Sequence, residues 1–155
     1  MGYRLMKDLK EYLEDQVELA EKIAREKHEG QTRKIGEDKG KPYIIHPERM
    51  ANTFEEAVLK AASWLHDVVE DTDTTFEDLL ELGVAKEIVN VLRYVTKKKG
   101  EPYKDFIFRI LYNTWAMKIK IADINDNLKS CPEGHMKEKY RLALWILEYR
   151  LSRPL

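Results

Sequence analysis

Cysteine is nearly absent from this sequence, in which Cys131 is the only one among 155 residues. A single cysteine forms no internal disulfide and no Cys-x-x-Cys pair, so we expect neither a disulfide framework nor a cysteine-based metal or redox site. Long apolar runs are also missing, since none approaches the roughly 18 residues of a membrane span. The charged start of the chain lacks the apolar segment of a signal peptide. We therefore expect a cytoplasmic protein without a membrane partner.

An excess of charge of either sign is absent too, because 27 Lys and Arg residues balance 28 Asp and Glu residues. The net charge of −1 creates no global basic field, so duplex nucleic acid is not expected as a partner. A locally basic pocket for a small anionic substrate remains compatible with this balance. The length suits one core, and we predict a single domain over residues 1–155. The sequence carries no signal for an oligomeric state.

Helical periodicity dominates the chain. Apolar residues recur at spacings of three and four, whereas no strand pair or hairpin signal occurs. The sequence therefore predicts an all-α globule of about seven helices. The helical patterns cover residues 6–28, a segment beginning at Pro47, and residues 55–69, 75–82, 84–95, 103–111, 116–128 and 140–147. Thr74 or Thr75 is expected to cap the helix over 75–82.

Two sets of residues are interpreted as structural rather than functional. Trp64, Trp115 and Trp145 lie in apolar stretches, which favours core packing over base stacking. The run Lys97-Lys98-Lys99 follows an apolar helical stripe. Cations at a helix C-terminus complement the helix dipole, so this run is interpreted as a solvated helix end.

The predicted helix over 55–69 is largely apolar, yet four ionisable residues, His66, Asp67, Glu70 and Asp71, stand at its end. Burying such groups is costly unless they pair with each other or bind an ion. At helical spacing His66 neighbours Glu70 and Asp67 neighbours Asp71, so all four face one mouth of a pocket. Imidazole and carboxylate are common ligands of divalent metals. From these residues alone, a metal site and a solvated helix end both remain open.

Two further positions resemble this cluster. Asp123 follows a mostly apolar run, and Asn127 stands one helical turn later. His46 lies between Ile45 and Pro47, where the proline favours an extended residue just before a helix. Each has a bland alternative, a helix end for Asp123 and a structural role for His46.

Taken in order, these pieces resemble the HD superfamily of metal-dependent phosphohydrolases, and most closely its branch of alarmone (guanosine tetra- and pentaphosphate) hydrolases. The resemblance extends from about residue 17 to about residue 150. The matching stretches are HEGQTRK at 28–34, PYIIHP at 42–47, LHDVVEDT at 65–72, VTK at 95–97 and IADINDNL at 121–128.

The resemblance implies a divalent metal, Mn²⁺ in this family, held by His46, His66, Asp67 and Asp123. It also implies that Glu70 and Asp71 position the attacking water and assist proton transfer. The implied reaction releases pyrophosphate from the 3′ position of guanosine tetraphosphate and leaves GDP, so the implied partner is a small nucleotide.

The resemblance assigns substrate contacts to a further set of residues: Arg33, Lys34, Asn127, Lys129 and Ser130. His28 is expected mainly to order the neighbouring loop. The chain departs from the family in these regions. Residues 38–41 lengthen the loop before Pro42, the segment 47–65 is short, and Lys129-Ser130 replaces an Arg-Thr pair. The departures spare the metal ligands but concern the substrate region.

Two alternatives to an alarmone hydrolase stay open. One is an HD hydrolase acting on another nucleotide, such as a nucleoside monophosphate or a cyclic nucleotide. The other is a non-catalytic HD-fold regulatory module, although every expected ligand type and both acidic residues are present. The length leaves no room for a synthetase domain, so we expect no second activity in this chain.

Overall fold

Helices form the framework of the chain in the computed structural model, which describes residues 2–153 and the side chains from residue 6 onward. The helices in this range are α1 Gly2–Lys27, α2 Ile45–Ala51, α3 Ala57–Leu65, α4 Val68–Asp71, α5 Phe76–Glu81, α6 Lys86–Val95, α7 Tyr103–Ile110, α8 Thr114–Ser130 and α9 His135–Leu151. The described residues contain no strand beyond an isolated bridge between Thr32 and Pro42. The predicted all-α class is confirmed, with nine helices in the described residues where about seven were expected.

The central element is α3, against which α1, α2, α6 and α8 pack. Leu59, Ala61, Ala62 and Leu65 are each at most 1% exposed. A helix surrounded by other helices needs apolar residues on all its faces, which explains the composition of α3. Because α2 and α8 both pack on α3, residues of these three helices meet near its C-terminal end.

The apolar stripe of α1 packs only along its second half. Ala20, Ile23 and Ala24 are buried, whereas Leu9, nearer the start of the same predicted stripe, is 57% exposed. At about 1.5 Å per residue, the 26 residues of α1 span roughly 39 Å, whereas the nine of α3 span roughly 14 Å. The long helix therefore extends beyond the partner that would bury its first turns.

The helix predicted over 55–69 is interrupted, which corrects that prediction. The helix α3 ends at Leu65, and Asp67 has φ −106° and ψ −1° before α4 begins at Val68. These angles lie in the sparsely populated bridge region, where active-site residues often occur. The interruption turns the His66-Asp67 pair away from a continuous helical path.

The cap of α5 is Thr75, one of the two residues predicted for it. The Thr75 side chain accepts a hydrogen bond from the Asp78 backbone N–H (3.1 Å), and the Asp78 carboxylate accepts one from the Thr75 N–H (2.8 Å). Reciprocal bonds of this kind satisfy backbone donors at the start of a helix.

The prediction for the tryptophans is confirmed for one and wrong for two. Trp64 is 5% exposed, whereas Trp115 and Trp145 are 42% and 61% exposed. Trp115 and Trp145 lie on outer faces of α8 and α9. The sequence did not predict this orientation, because the apolar residues of these two helices recur less regularly than those of α3. No helix in the described range is both long and apolar enough to cross a membrane.

Candidate metal centre

Three neighbouring parts of the fold bring the predicted ligands together. His46 comes from the first turn of α2, His66 and Asp67 from the break between α3 and α4, and Asp123 from the middle of α8. One ligand atom each from His46, His66 and Asp67 lies within 4.8 Å of the others. The imidazole centroids of His46 and His66 are 5.1 Å apart.

The His46 ring is held from behind by a residue that the sequence analysis did not single out. Its Nδ1 lies 2.8 Å from Oδ2 of Asp126, and the ring is 1% exposed. When Nδ1 carries the proton and donates it to this carboxylate, Nε2 is unprotonated. This Nε2 atom faces inward, 3.1 Å from Oδ1 of Asp123. A carboxylate behind a histidine is the usual way in which proteins orient a metal-binding imidazole.

The His66 ring is oriented in the same sense by the main chain. Its Nδ1 lies 2.8 Å from the carbonyl oxygen of Ser63, which can only accept a hydrogen bond. The Nε2 atom is buried and has no hydrogen-bond partner, although Oδ2 of Asp67 lies 3.0 Å away and Oδ1 of Asp123 lies 3.9 Å away. A buried nitrogen without a partner, surrounded by carboxylates, fits the position of a metal ligand.

Carboxylates dominate the charge of this cluster. Burial opposes ionisation of Asp67, but the neighbouring His66 outweighs it and holds the pKa of Asp67 below its usual range. Burial lowers the pKa of His66, and the charge of Asp67 more than compensates, raising it to about 9. The surroundings of Asp67 and His66 therefore favour a positive charge at this position. Two imidazoles and two carboxylates form a donor set that suits Mn, Fe, Ni or Zn.

Asp123 has two further partners on its own helix. Lys120 Nζ donates to Oδ2 at 2.6 Å, and Asn127 Nδ2 donates to Oδ1 at 2.7 Å. Lys120 counteracts the burial that would otherwise raise the pKa of Asp123, and the pKa lies well below its usual value. The carboxylate is ionised and its orientation is fixed from both sides.

The candidate metal ligands border a polar cavity of about 220 Å³. Its walls include the predicted residues Asp67, Glu70, Asp71, Asp123 and Asn127. They also include Lys97, Lys120, Lys139, Tyr103 and Tyr140, which the sequence analysis did not assign to the site. Lys97 follows the end of α6, where a solvated helix end was expected, and it also borders this cavity. Because Lys120 is paired with Asp123, Lys97 and Lys139 are the cations that the cavity offers to an anionic ligand.

Glu70 and Asp71 both line the cavity, and burial is the main cause that raises the pKa of each above its ordinary value. Oε2 of Glu70 accepts a hydrogen bond from the backbone N–H of Lys97 at 3.1 Å. A carboxyl group whose pKa is shifted toward neutrality is better suited to exchange protons with a substrate or water.

The predicted phosphate-binding residues are arranged unequally. Arg33 reaches the site, because its Nη2 donates to Oδ1 of Asn127 at 2.7 Å. Lys34 is exposed, and its charge only partly offsets the burial that raises the pKa of Asp71. Lys129 and Ser130 do not line the cavity. Lys129 points to a separate pocket beside Arg49, and Ser130 is buried.

His28 lies at the start of the segment 28–44 between α1 and α2, the substrate loop, which carries Arg33 and Lys34. Its Nδ1 is 2.8 Å from Oε1 of Gln31, and its ring centroid is 4.6 Å from that of Tyr43. Gln31 in turn donates to the carbonyl of Asp71 at 3.3 Å, and the Tyr43 hydroxyl donates to Asp67. This arrangement agrees with the loop-ordering role expected for His28.

Residues 38–41, just before Pro42, are tied to the rest of the fold through Asp38. Lys41 Nζ and Arg49 Nη1 each lie 2.6 Å from an oxygen of this carboxylate, which is 6% exposed as a residue. Hydrogen bonds from the two cations hold the pKa of Asp38 far below its usual value. This segment therefore docks on α2, the helix that carries His46.

The chain is similar to proteins named for alarmone metabolism. It is 34% identical to a guanosine-3′,5′-bis(diphosphate) 3′-pyrophosphohydrolase of Vibrio cholerae over 92% of the chain, and 31% identical to one of Aquifex aeolicus over 86%. It is 32% identical over 81% of its length to the bifunctional (p)ppGpp synthase/hydrolase SpoT of Escherichia coli. The chain spans only about a fifth of these relatives, namely 22%, 20% and 19% of their lengths.

A solved structure matches the fold over most of both chains. It is described as a metazoan ortholog of SpoT that hydrolyses ppGpp, with 26% identity and a TM-score of 0.66 over 88% of this chain and 83% of that one. No family model matches the chain.

Proposed function

We propose that this chain, which is similar to the (p)ppGpp hydrolases, is itself a metal-dependent phosphohydrolase that removes pyrophosphate from the 3′ position of guanosine tetraphosphate. One observation carries the proposal: the unpartnered Nε2 of His66 lies among carboxylates at the base of a cavity lined by three lysines. A metal site alone is compatible with many functions, whereas a metal site beside cationic side chains fits a phosphorylated substrate.

We assign the metal to His46, His66, Asp67 and Asp123, with Mn²⁺ as the ion. When bound, such an ion polarises a phosphoryl oxygen and makes a bound water more acidic. Asp126 and the Ser63 carbonyl hold the two imidazoles with Nε2 directed inward. Lys120 and Asn127 hold the carboxylate of Asp123.

We assign proton transfer to Glu70 and Asp71. Both line the cavity beside Asp67, and burial raises the pKa of both. The hydrogen bond from the Lys97 N–H fixes one oxygen of Glu70. The other oxygen is free to orient a water molecule and accept its proton as the phosphorus–oxygen bond to the leaving group breaks.

We assign the phosphates of the substrate to Arg33, Lys34, Asn127 and the cavity lysine Lys139. Guanidinium binds phosphate through two parallel hydrogen bonds, and ammonium acts as a point charge. Lys129 and Ser130 remain predictions as substrate contacts. The single domain over 1–155 and the cytoplasmic location also remain predictions.

The experiment is a hydrolysis assay on the Mn²⁺-loaded chain with guanosine tetraphosphate, a nucleoside monophosphate and a cyclic nucleotide. Pyrophosphate and GDP are expected from the first substrate. Phosphate from the monophosphate, without pyrophosphate from guanosine tetraphosphate, would reassign the substrate to another nucleotide. A chain that binds no metal and hydrolyses none of the three would instead be a regulatory module.

Two variants separate the metal from the acid–base group. Asp67→Ala is expected to lose bound Mn²⁺ and activity together. Glu70→Gln is expected to keep Mn²⁺ and the fold while kcat falls by about 10²- to 10⁴-fold. The matched control is Asp73→Ala, which removes an exposed carboxylate close to α4 in the chain and should leave both metal and kcat unchanged.

A further inference from the structure

A second cavity, the α6–α7 pocket, adjoins the candidate site. It lies between the start of α5, the end of α6, the loop that follows and the end of α7, and its volume is about 630 Å³. This is nearly three times the 220 Å³ of the site cavity and within the roughly 300–1,000 Å³ typical of small-molecule sites. No function has been assigned to it above.

The lining of the α6–α7 pocket combines cations with aromatic rings and includes no carboxylate side chain. Its rings belong to Phe76, Tyr94 and Tyr112. Tyr112 is 86% exposed, so its ring has little to contact on the protein. The Arg93 guanidinium lies 4.5 Å from the centroid of the Phe76 ring. Aromatic and guanidinium planes of this kind are the surfaces on which nucleobases stack.

The pocket lining also includes two lysines, Lys97 and Lys98. Among the described residues neither forms a direct ion pair, although the charge of Lys98 contributes to lowering the pKa of Glu101, whereas Arg93 is paired with Glu77 at 3.1 Å. The loop backbone is held at both lysines, since the N–H of Lys97 donates to Glu70 at 3.1 Å and that of Lys98 donates to Glu101 at 2.9 Å. Two unpaired ammonium groups beside aromatic rings match a ligand with both a base and phosphates.

The shape of the pocket is fixed by Arg109. Its guanidinium donates to the carbonyls of Arg93, Tyr94 and Thr96 at 2.9–3.1 Å and forms two bonds to Glu101 at 2.8 and 2.9 Å. All its donors are therefore used within the protein. Arg109 closes the end of α6 onto α7 and leaves the recognition of charge to the lysines.

We propose that the α6–α7 pocket binds a nucleoside di- or triphosphate as a second ligand, distinct from the substrate. The base lies against Tyr112 and the Arg93–Phe76 pair, and the phosphates lie against Lys97 and Lys98. Lys97 also lines the site cavity, and its backbone N–H holds Glu70. The second ligand thus contacts a residue that supports the candidate acid–base group.

The test is a calorimetric titration of the full chain with GDP, with inorganic pyrophosphate and a single-stranded oligonucleotide as further probes. Two classes of GDP site are expected. Tyr112→Ala should weaken one class roughly fivefold or more, through lost stacking. Lys98→Ala should weaken the same class about tenfold, through a lost charge-assisted contact. Arg33→Ala should affect only the other class.

Matched controls on α1 keep the result specific. Tyr12→Ala and Lys22→Ala remove an exposed tyrosine and an exposed lysine that belong to neither pocket lining, and both classes of GDP site should persist. GDP binding that is unaffected by Tyr112→Ala and Lys98→Ala, whether one class of site or two is observed, would overturn the proposal. So would pyrophosphate binding at this site as tightly as GDP, or the oligonucleotide binding more tightly than GDP.

This test is independent of the proposed hydrolysis. GDP binding at the α6–α7 pocket depends on Tyr112 and Lys98, whereas turnover of guanosine tetraphosphate depends on Asp67 and Glu70. A chain that fails to hydrolyse guanosine tetraphosphate but shows the Tyr112-dependent GDP site would contradict only the proposed function.

Discussion

Nδ1 of His46 lies 2.8 Å from Oδ2 of Asp126, and this contact joins the first turn of α2 to α8. Both residues are at most 3% exposed. The contact sets the ring so that Nε2 faces Asp123 and His66. A metal ligand and the carboxylate that orients it therefore come from two helices that meet only in the folded chain.

Removing this carboxylate should weaken metal binding without removing a ligand. We expect Asp126→Asn to lower the affinity for Mn²⁺ by about 10- to 100-fold, as is typical when the partner behind a ligating histidine is lost. Titration of the metal-free protein with Mn²⁺ measures the change. Asn125→Ala, on an exposed adjacent position, is the control, and equal affinities in the two variants would contradict the orienting role.

Lys120 and Asp123 form a buried ion pair with side chains 14% and 9% exposed. Lys120→Met should destabilise the metal-free protein by roughly 3 kcal/mol, because the carboxylate loses its buried counter-charge. Saturating Mn²⁺ should restore part of this loss, since the ion supplies positive charge to the same carboxylate. Chemical unfolding with and without Mn²⁺ gives the free energy of unfolding of the metal-free and the metal-bound protein. The control is Lys118→Met, since Lys118 lies on the same helix but is half-buried at another pocket. An equal metal-induced gain in Lys120→Met and the unmodified chain would contradict this account.

Two glycines in the substrate loop allow a matched comparison of alanine substitutions. Gly36 and Gly40 have φ values of +72° and +86°, which residues with a side chain rarely adopt. A Cβ on Gly36 would overlap the backbone carbonyl of Ser130, whereas one on Gly40 would meet nothing within 4 Å. Both alanine variants share the backbone strain, and Gly36→Ala should cost about 1–3 kcal/mol more because the loop must move off α8.

The same pair tests the role of the loop. Gly36→Ala should also raise KM for guanosine tetraphosphate more than Gly40→Ala, since Arg33 belongs to the displaced segment. Unfolding free energies and initial rates provide the two measurements. Equal effects of the two substitutions would show that the approach of Gly36 to Ser130 has no consequence.

The Glu101–Arg109 pair should give the stability a dependence on acidic pH. The bonds from Arg109 are the main cause that lowers the pKa of Glu101 to about 2, from an ordinary 4.5. A lowered folded-state pKa stabilises the protein above the unfolded pKa, and this contribution is lost as pH falls from about 4.5 through about 2. Glu101→Gln should therefore cost roughly 1–2 kcal/mol at pH 7, with the difference shrinking below pH 4.5.

Unfolding measured at several pH values checks this expectation. Glu77→Gln is the control, because its partner Arg93 and its own side chain are both largely exposed and exposed pairs contribute little. A stability difference between Glu101→Gln and the unmodified chain that stays constant from pH 7 to pH 3 would contradict the prediction.

The parts of the fold that were predictable from sequence depend on local signals. Apolar periodicity located the main helices, and the Thr75 cap follows from residue type and position. The interruption after Leu65 was not predictable, because the segment Val68–Asp71 has the same helical pattern as α3. Only the three-dimensional structure shows that His66 bonds to Ser63 and that Asp67 leaves the helical path.

The residues of the candidate site were also predictable only in part. His46, His66, Asp67 and Asp123 were identified by order and residue type, and the structure brings them together. Asp126 was missed because it stands among polar residues at the end of α8, and its partner is 80 positions away. Its spacing of three from Asp123 was the one available signal, since such residues share a helix face.

The docking of Asp38 on Arg49 has a consequence for the energetics of ligand capture. A loop held by Lys41 and Arg49 is ordered before any ligand arrives, so little conformational entropy remains to be lost when Arg33 engages a phosphate. Because α2 carries both Arg49 and His46, the guanidinium and the imidazole belong to one rigid unit. The loop is thus held in place by its own contacts, and association should proceed as a single docking step without a folding step.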